Sequence, residues 1–292
     1  MPLLPALIGI SIHEKEYFYL SWIPSESGPL IIDYGKVKKR GVEIPFSYFV
    51  EKIKDYNVSP QFTIALNNQY VKYNFSDSIN DFVDKWNNDK TYDKDFSSCY
   101  ESYIYDVNEG QFNIHILKSF KEHIVQQINN NKYSLTNINV GIFSALLGVN
   151  CWYDIDNISN YIVLKLSRNN MFELVAVRDK QFSAYAKAKR KDNMIDTINF
   201  LGNSYSKNSI MELIKSLFLS ELDMQDYQNI FYYSIDAKKD DINSIISLNN
   251  NNLELINPFK RLKFDDNCNF KLSDINASSY SELGNAFGGV DV

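Results

Sequence analysis

The chain has 292 residues, of which 45% are hydrophobic and 14% aromatic, with a formal net charge of -6. That length is enough for one large or two modest domains with a sizeable core, and that hydrophobic content excludes a disordered chain. An acidic balance without a long basic stripe argues against nucleic acid as a partner, so the basic spots Lys38-Lys39-Arg40 and Lys187–Lys191 read as solvated strand ends. Cys99, Cys151 and Cys268 are odd in number, far apart and in no metal or redox motif, which fits reduced thiols of a cytoplasmic protein. The opening MPLLPALIGI lacks a positive leader and is broken by Pro2 and Pro5, so it does not read as a signal peptide. No run reaches the roughly 18 apolar residues of a membrane helix, and any membrane contact is expected through a partner.

In chain order, Leu7–Ile12, Glu16–Ile23 and Pro29–Asp33 alternate as three strands joined by the turns His13–Lys15 and Pro24–Gly28. Pro45–Tyr56 spaces Phe46, Phe49, Val50 and Ile53 as a helix, and Val58–Leu66 alternates again as a strand. From Asn67 to about Ile138 the pattern changes to short strands at Tyr70–Tyr73, Ser102–Tyr105 and Phe112–Ile116 with a helix around Ser78–Asn87, which reads as a small inserted subdomain. Lys118–Asn129 is an amphipathic helix with Phe120, Ile124, Val125 and Ile128 on one face, Leu135–Val140 a strand, and Ile142–Leu147 a helix.

A second strand-turn-strand-turn-strand unit then begins. In Tyr161–Ala188, Ile162, Leu164 and Leu166 fall on one face of the first run, and Phe172, Leu174 and Ala176 on one face of the second. The connectors Arg168-Asn169-Asn170 and Arg178-Asp179-Lys180 carry residues that accept positive φ, as antiparallel turns need. Asp192–Phe200 and Asn208–Leu222 are expected as helices, Ile230–Ile235 as a buried strand, Asp240–Leu248 as a short helix, Leu253–Ile256 as a strand and Ser281–Phe287 as a terminal helix. Two similar meanders half a chain apart are the mark of an internal duplication. The expected division is a first lobe at 1–158, with the inserted subdomain at about 67–138, and a second lobe at 159–292.

A duplicated meander followed by alternating helices and strands resembles the actin-like ATPase superfamily, and within it the PilM-like branch of type IV pilus assembly proteins. LIGISIHEKEYFYLSW is similar to the family's first phosphate-loop hairpin, YIVLKLSRNNMFELVAVRDKQF to its second, and LELINPFKRL with SYSELGNAFGG to its C-terminal end; Phe82–Ile128 resembles its inserted subdomain. The resemblance implies an α/β chain with a duplicated ribonuclease-H-like fold, two lobes with mixed sheets flanked by helices, and a small inserted subdomain in the first lobe.

Departures from the family pattern fall at the chemistry. Active members end each meander's first strand with an Asp and place a Gly two residues later, so that a carboxylate orients the metal and backbone N–H groups reach a phosphate. Those positions read Ser11 and His13 in the first half, and Lys165 and Ser167 in the second. No Gly occurs between Gly202 and Gly284 to make room for adenosine after a late strand. Lys165 is read as the donor of an internal salt bridge in place of a metal, rather than as a phosphate ligand.

The resemblance therefore implies the fold without enzymatic activity, cofactor or metal: a cytoplasmic scaffold in a type IV pilus or type II secretion-like assembly. It would bind the cytoplasmic N-terminal peptide of a single-span, PilN-like inner-membrane protein, with an assembly ATPase as a further partner. The expected peptide groove lies between the opening meander and the inserted subdomain, with Tyr70, Tyr73, Phe82 and Trp86 as contact residues; an aromatic-rich surface with polar tips suits recognition, as it also suits a small subdomain's own core. The alternatives are a diverged ATPase or small-molecule kinase of the same superfamily, or a polymerising cytoskeletal protein. His13, His115 and His123 have no zinc-ligand spacing, and Glu221, Asp223 and Asp226 read as a solvated loop.

Overall fold

The computed structural model describes residues 3–76, 84, 87–89, 95–107, 110–153, 155–168, 171–191, 194–202, 207–208, 210, 212, 227, 229–235, 253–268 and 271–287. In chain order its elements are β1 (Leu4–Ile12), β2 (Glu16–Ser25), β3 (Gly28–Lys38), α1 (Phe46–Lys52), β4 (Val58–Leu66), β5 (Val71–Ser76), α2 (Phe96–Cys99), β6 (Tyr100–Val107), β7 (Gly110–Leu117) and α3 (Lys118–Asn130). There follow β8 (Ser134–Val140), α4 (Gly141–Trp152), β9 (Tyr161–Ser167), β10 (Met171–Arg178), β11 (Gln181–Lys191), β12 (Met194–Gly202), β13 (Asn229–Ile235), β14 (Leu253–Leu255), β15 (Lys263–Phe264), α5 (Asp274–Ser278) and a 3-10 helix at Ser281–Phe287. Among the described residues no helix is long and apolar enough to cross a membrane.

The chain forms two compact units. The first comprises Met1–Val71, Ser119–Asp154 and Asn257–Val292, built on a sheet of order β15-β3-β2-β1-β4-β8. β1, β2 and β3 run antiparallel as the alternation predicts, and β4 and β8 add in parallel on the other side of β1. The alternation of β1 explains its two covers. Ile8, paired with Phe62, belongs to the face where Phe62 meets Phe46 of α1 edge-on at 4.8 Å, whereas Gly9, paired with Thr63, faces Ala286 of the terminal 3-10 helix. Trp22 anchors that helix by donating from Nε1 to the carbonyl of Ala286 at 3.1 Å and by stacking on Phe287 at 5.9 Å.

The second unit comprises Lys72–Lys118 and Ile155–Ile256. Its main sheet has the order β12-β11-β10-β9-β13-β14, with β9 to β12 antiparallel and β13 and β14 parallel beyond β9. Asp179 and Lys180 both take positive φ, 51° and 62°, which makes the β10–β11 connection a two-residue turn whose twist matches the strands it joins. In each unit a meander comes first and two parallel strands then add beside its first strand. The duplication is therefore real, and the fold is the actin-like α/β arrangement. A separate sheet, β5-β7-β6, packs on the second unit's sheet: Phe112 of β7 meets Phe182 at 4.5 Å and Tyr73 of β5 meets Tyr185 at 4.7 Å.

Several expectations need correction. The boundary near 158 does not separate the units, because the C-terminal segment returns to the first sheet through β15 on β3 and through the 3-10 helix on α4. The expected inserted subdomain supplies its three strands to the second unit. Of the helix expected at Asp192–Phe200, the described residues from Met194 onward form β12, which pairs with β11 across a bulge at Lys187/Ala188. Apolar residues at 194, 195, 198, 200 and 201 satisfy a helical period as well as a strand period, and the open edge of β11 decides between them. Tyr70 closes a 3-10 turn, so β5 begins only at Val71. The helices expected at Ser78–Asn87, Asn208–Leu222 and Asp240–Leu248 lie outside the described residues apart from isolated positions.

Candidate functional site

The two meander hairpins carry the positions where the chemistry of this fold would sit. In the first, Ser11 and His13 fall at the end of β1 and are both buried. The Ser11 hydroxyl is hydrogen-bonded to His13 Nε2, and the same nitrogen stands 3.8 Å from Glu282 Oε2. One ring nitrogen thus serves both neighbours, which is not the relay of a nucleophile, base and orienting acid. In the hairpin turn His13 N–H donates to the carbonyl of Glu16 at 3.0 Å, and the carbonyl of Lys15 accepts from Lys39 N–H at 2.9 Å.

Lys39 closes this end further. Its ammonium donates to the carbonyl of His13 at 3.2 Å and lies over the rings of Tyr17 and Tyr70, 5.5 and 5.9 Å from their centroids. Burial lowers the pKa of Lys39, with Glu14 opposing the shift, and burial pushes the Tyr17 hydroxyl up to about 12.

Glu282 was not singled out from the sequence. It is fully buried, and its carboxylate lies against Gly141, the first residue of α4, where a helix dipole favours negative charge. A Cβ at Gly141 would stand 2.5 Å from Oε2, so a side chain there would require the carboxylate to shift. The adjoining backbone is held from α4 as well: Ser144 Oγ donates to the carbonyl of Glu282 at 2.6 Å and accepts from Asn285 N–H at 3.0 Å. At the close crossing, a Cβ on Gly284 would meet the carbonyl oxygen of Ser144 at 2.2 Å. The only local signal was the spacing of small residues in α4, Gly141, Ser144, Ala145 and Gly148, which permits close approach.

In the second hairpin, Lys165 and Glu173 face each other across β9 and β10, with Nζ 4.0 Å from Oε1. Tyr185 of β11 donates its hydroxyl to Glu173 Oε2 at 3.2 Å. All three are buried, and burial together with Glu173 holds the Tyr185 hydroxyl well above its ordinary pKa. Ser167 ends β9, half-buried, paired with Met171 and Ile235. Sequence reasoning had marked Lys165 and missed Glu173 and Tyr185, because their proximity depends on strand register.

Of the four residues expected to hold a peptide, Tyr70 and Tyr73 are described. Tyr70 belongs to the first unit and stacks on Phe120 at 3.5 Å, whereas Tyr73 belongs to the second and packs against Tyr185 and Phe112. Phe82 and Trp86 lie outside the described residues. Among the described residues no group of three or more His, Cys, Asp or Glu side chains is placed to share a metal ion.

No protein-family model matches the sequence. No curated protein matches it either. Among solved structures, the chain is similar to the PilM–PilN type IV pilus biogenesis complex, with a TM-score of 0.59 and 12% identity over 96% of this chain and 97% of that one. It is more distantly similar to the cytoplasmic domain of EpsL, an inner-membrane component of the type II secretion system of Vibrio cholerae, with a TM-score of 0.42 and 8% identity over 95% and 94% of the two chains. A Bacteroides thetaiotaomicron protein of actin-like ATPase fold and unknown function gives a TM-score of 0.44 and 8% identity over 87% and 91%. At such identity the first similarity establishes the fold, and the other two carry no further argument.

Proposed function

We propose that this chain is a non-catalytic scaffold of a type IV pilus or type II secretion-like inner-membrane assembly. It is cytoplasmic in this reading and reaches the membrane through the N-terminal peptide of a single-span, PilN-like partner, with an assembly ATPase as a second contact. The observation that carries the reading is the first hairpin. Where a phosphate loop needs a carboxylate, a glycine and free backbone donors, the chain has a buried Ser11–His13–Glu282 cluster and a His13 N–H already bonded to the carbonyl of Glu16. In the second hairpin the charge of Lys165 is matched by Glu173. The similarity to the PilM–PilN structure over nearly the whole length of both chains supports the choice of partner.

The direct test is titration of the labelled N-terminal segment of a single-span membrane protein encoded beside this one. Saturable binding by the parent, weakened at least tenfold by one of Tyr70→Ala, Tyr73→Ala, Phe82→Ala or Trp86→Ala in a folded protein, supports the reading and its site. Binding unchanged in all four moves the site elsewhere. No binding by the parent removes the pilus scaffold from first place in favour of a diverged kinase or ATPase.

A further inference from the structure

A groove of about 800 Å³ opens in the first unit between the end of β3, the start of α1 and the later turns of α3. Lys36, Val37 and Lys38 all line it. Successive strand residues point to opposite faces, so a space lined by three in a row reaches the edge of the strand as well as the face that Val37 shares with Tyr17, its partner on β2. That edge is open. β15 pairs only with Leu30 and Ile31, and among the described residues no strand pairs with Lys36–Lys38 on that side. The opposite side of β3 is paired with β2 as far as Glu16 on Lys38.

The wall facing this edge is held in place from within the unit. Tyr17 donates its hydroxyl to the carbonyl of Glu43 at 3.2 Å, and Gln127 of α3 accepts from the N–H of Ile44 at 3.3 Å. Tyr48 of α1 stands 40% exposed at the groove and Val42 nearby in sequence is 66% exposed, which offers apolar contact beside the open backbone. The charge is one-sided. Lys36, Lys38 and Arg40 are all exposed and line the groove against the single carboxylate of Glu43, in a chain whose net charge is -6. Among the described residues Lys36 pairs with Glu16, 3.6 Å away in an exposed pair worth under about 1 kcal/mol, and can turn to a ligand.

We propose that this groove is a docking site for an extended acidic segment of a partner protein, which adds to the edge of β3 as a further strand. Lysines on an open edge repel neutral or basic strands that would otherwise pair there. The same lysines select an acidic strand, whose carboxylates on one face meet Lys36 and Lys38 while its backbone takes the free edge. The site lies wholly in the first unit and shares no residue with those expected to hold the membrane partner's peptide, so it stands whether or not the pilus reading holds.

The test uses the full chain and an acetylated, fluorescein-labelled peptide alternating Glu and Val over eight residues, read by anisotropy. The parent should bind it saturably, at least tenfold more tightly than the counterpart with Lys for Glu, and more weakly as salt is raised. N-methylation of alternate amides along one edge of the peptide should abolish binding, since that blocks a strand ladder without touching the protein. The Lys36→Glu/Lys38→Glu/Arg40→Glu variant should lose at least tenfold for the acidic peptide and gain affinity for the basic one. Equal binding of the two peptides, or full binding of the N-methylated one, overturns the proposal. So does failure to bind the peptide while the parent, but not the triple variant, sediments with phosphatidylglycerol vesicles, which would assign the basic surface to a membrane.

Discussion

The carboxylate of Glu282 rests on the backbone of Gly141, near enough that a Cβ there would stand 2.5 Å from Oε2. The contact joins the C-terminal segment to the start of α4 and places a buried charge where a helix N-terminus stabilises it. Gly141→Ala forces that buried carboxylate to move, and should destabilise the first unit by about 1–3 kcal/mol in urea unfolding. Glu282→Ala removes the obstacle, so the double variant should be more stable than the sum of the two single losses predicts. Simple additivity would show that the two residues do not meet.

The Lys165–Glu173 pair is buried, and removing one member takes from the other the opposite charge it faces across β9 and β10. Lys165→Met and Glu173→Gln should each cost about 3–5 kcal/mol. The Lys165→Met/Glu173→Leu double variant should recover much of either loss, because apolar residues of similar volume need no partner. Tyr185→Phe leaves one lone pair of Glu173 unmet and should cost about 1–2 kcal/mol. A double variant as damaged as the two singles combined would mean that the pair makes no coupled contribution.

How much of this was legible beforehand depends on the range of the interaction. The meanders were readable because alternation is local: Ile162, Leu164 and Leu166 announce a strand without reference to anything else. β12 was misread because its apolar residues fit two periods, and the free edge of β11 that decides the matter is not visible in the segment itself. The return of the C-terminus to the first unit rests on Lys263–Phe264 pairing with Leu30–Ile31, two residues with no periodic signal. Glu282 was missed for the same reason. A lone Glu in SYSELGNAF reads as exposed, and its partner Ser144 lies 138 residues away.

His115 offers a pH test within the second unit. Its Nδ1 is 2.8 Å from Ser102 Oγ and its Nε2 2.9 Å from Asn74 Oδ1, which fixes the neutral ring with Nε2–H donating to Asn74. Burial and then nearby Lys72 lower its pKa to about 4. Between that value and the unfolded value near 6.5 the unfolded chain binds a proton that the folded one refuses. The contribution to stability is therefore whole above about pH 6.5 and falls as pH drops toward 4, by at most about 1.4 kcal/mol per pH unit for this one proton. The ring should titrate near 4 by NMR, and Lys72→Met should move the midpoint upward. A midpoint near 6.5 in the folded protein would contradict the buried, hydrogen-bonded geometry.

ATP with magnesium should leave the melting temperature unchanged. A bound ligand at about 100 times its dissociation constant raises stability by roughly 2.7 kcal/mol, so millimolar nucleotide would reveal a site with a dissociation constant of about 10 micromolar. Four features of the hairpins oppose one. The positions where the family resemblance would place metal-orienting carboxylates are Ser11 and Lys165, and the N–H of His13 already donates to Glu16. The Glu282 carboxylate, 3.8 Å from His13, sets negative charge beside the first hairpin, where a phosphate would be repelled in a medium of low dielectric. In the second hairpin Glu173 competes with any phosphate for Lys165. Thermal unfolding with millimolar ATP and magnesium, with magnesium alone as the control, separates the two outcomes. A rise specific to the nucleotide would replace the scaffold with a diverged ATPase or kinase, and Lys165→Met should then abolish that rise if the second hairpin is what holds the phosphate.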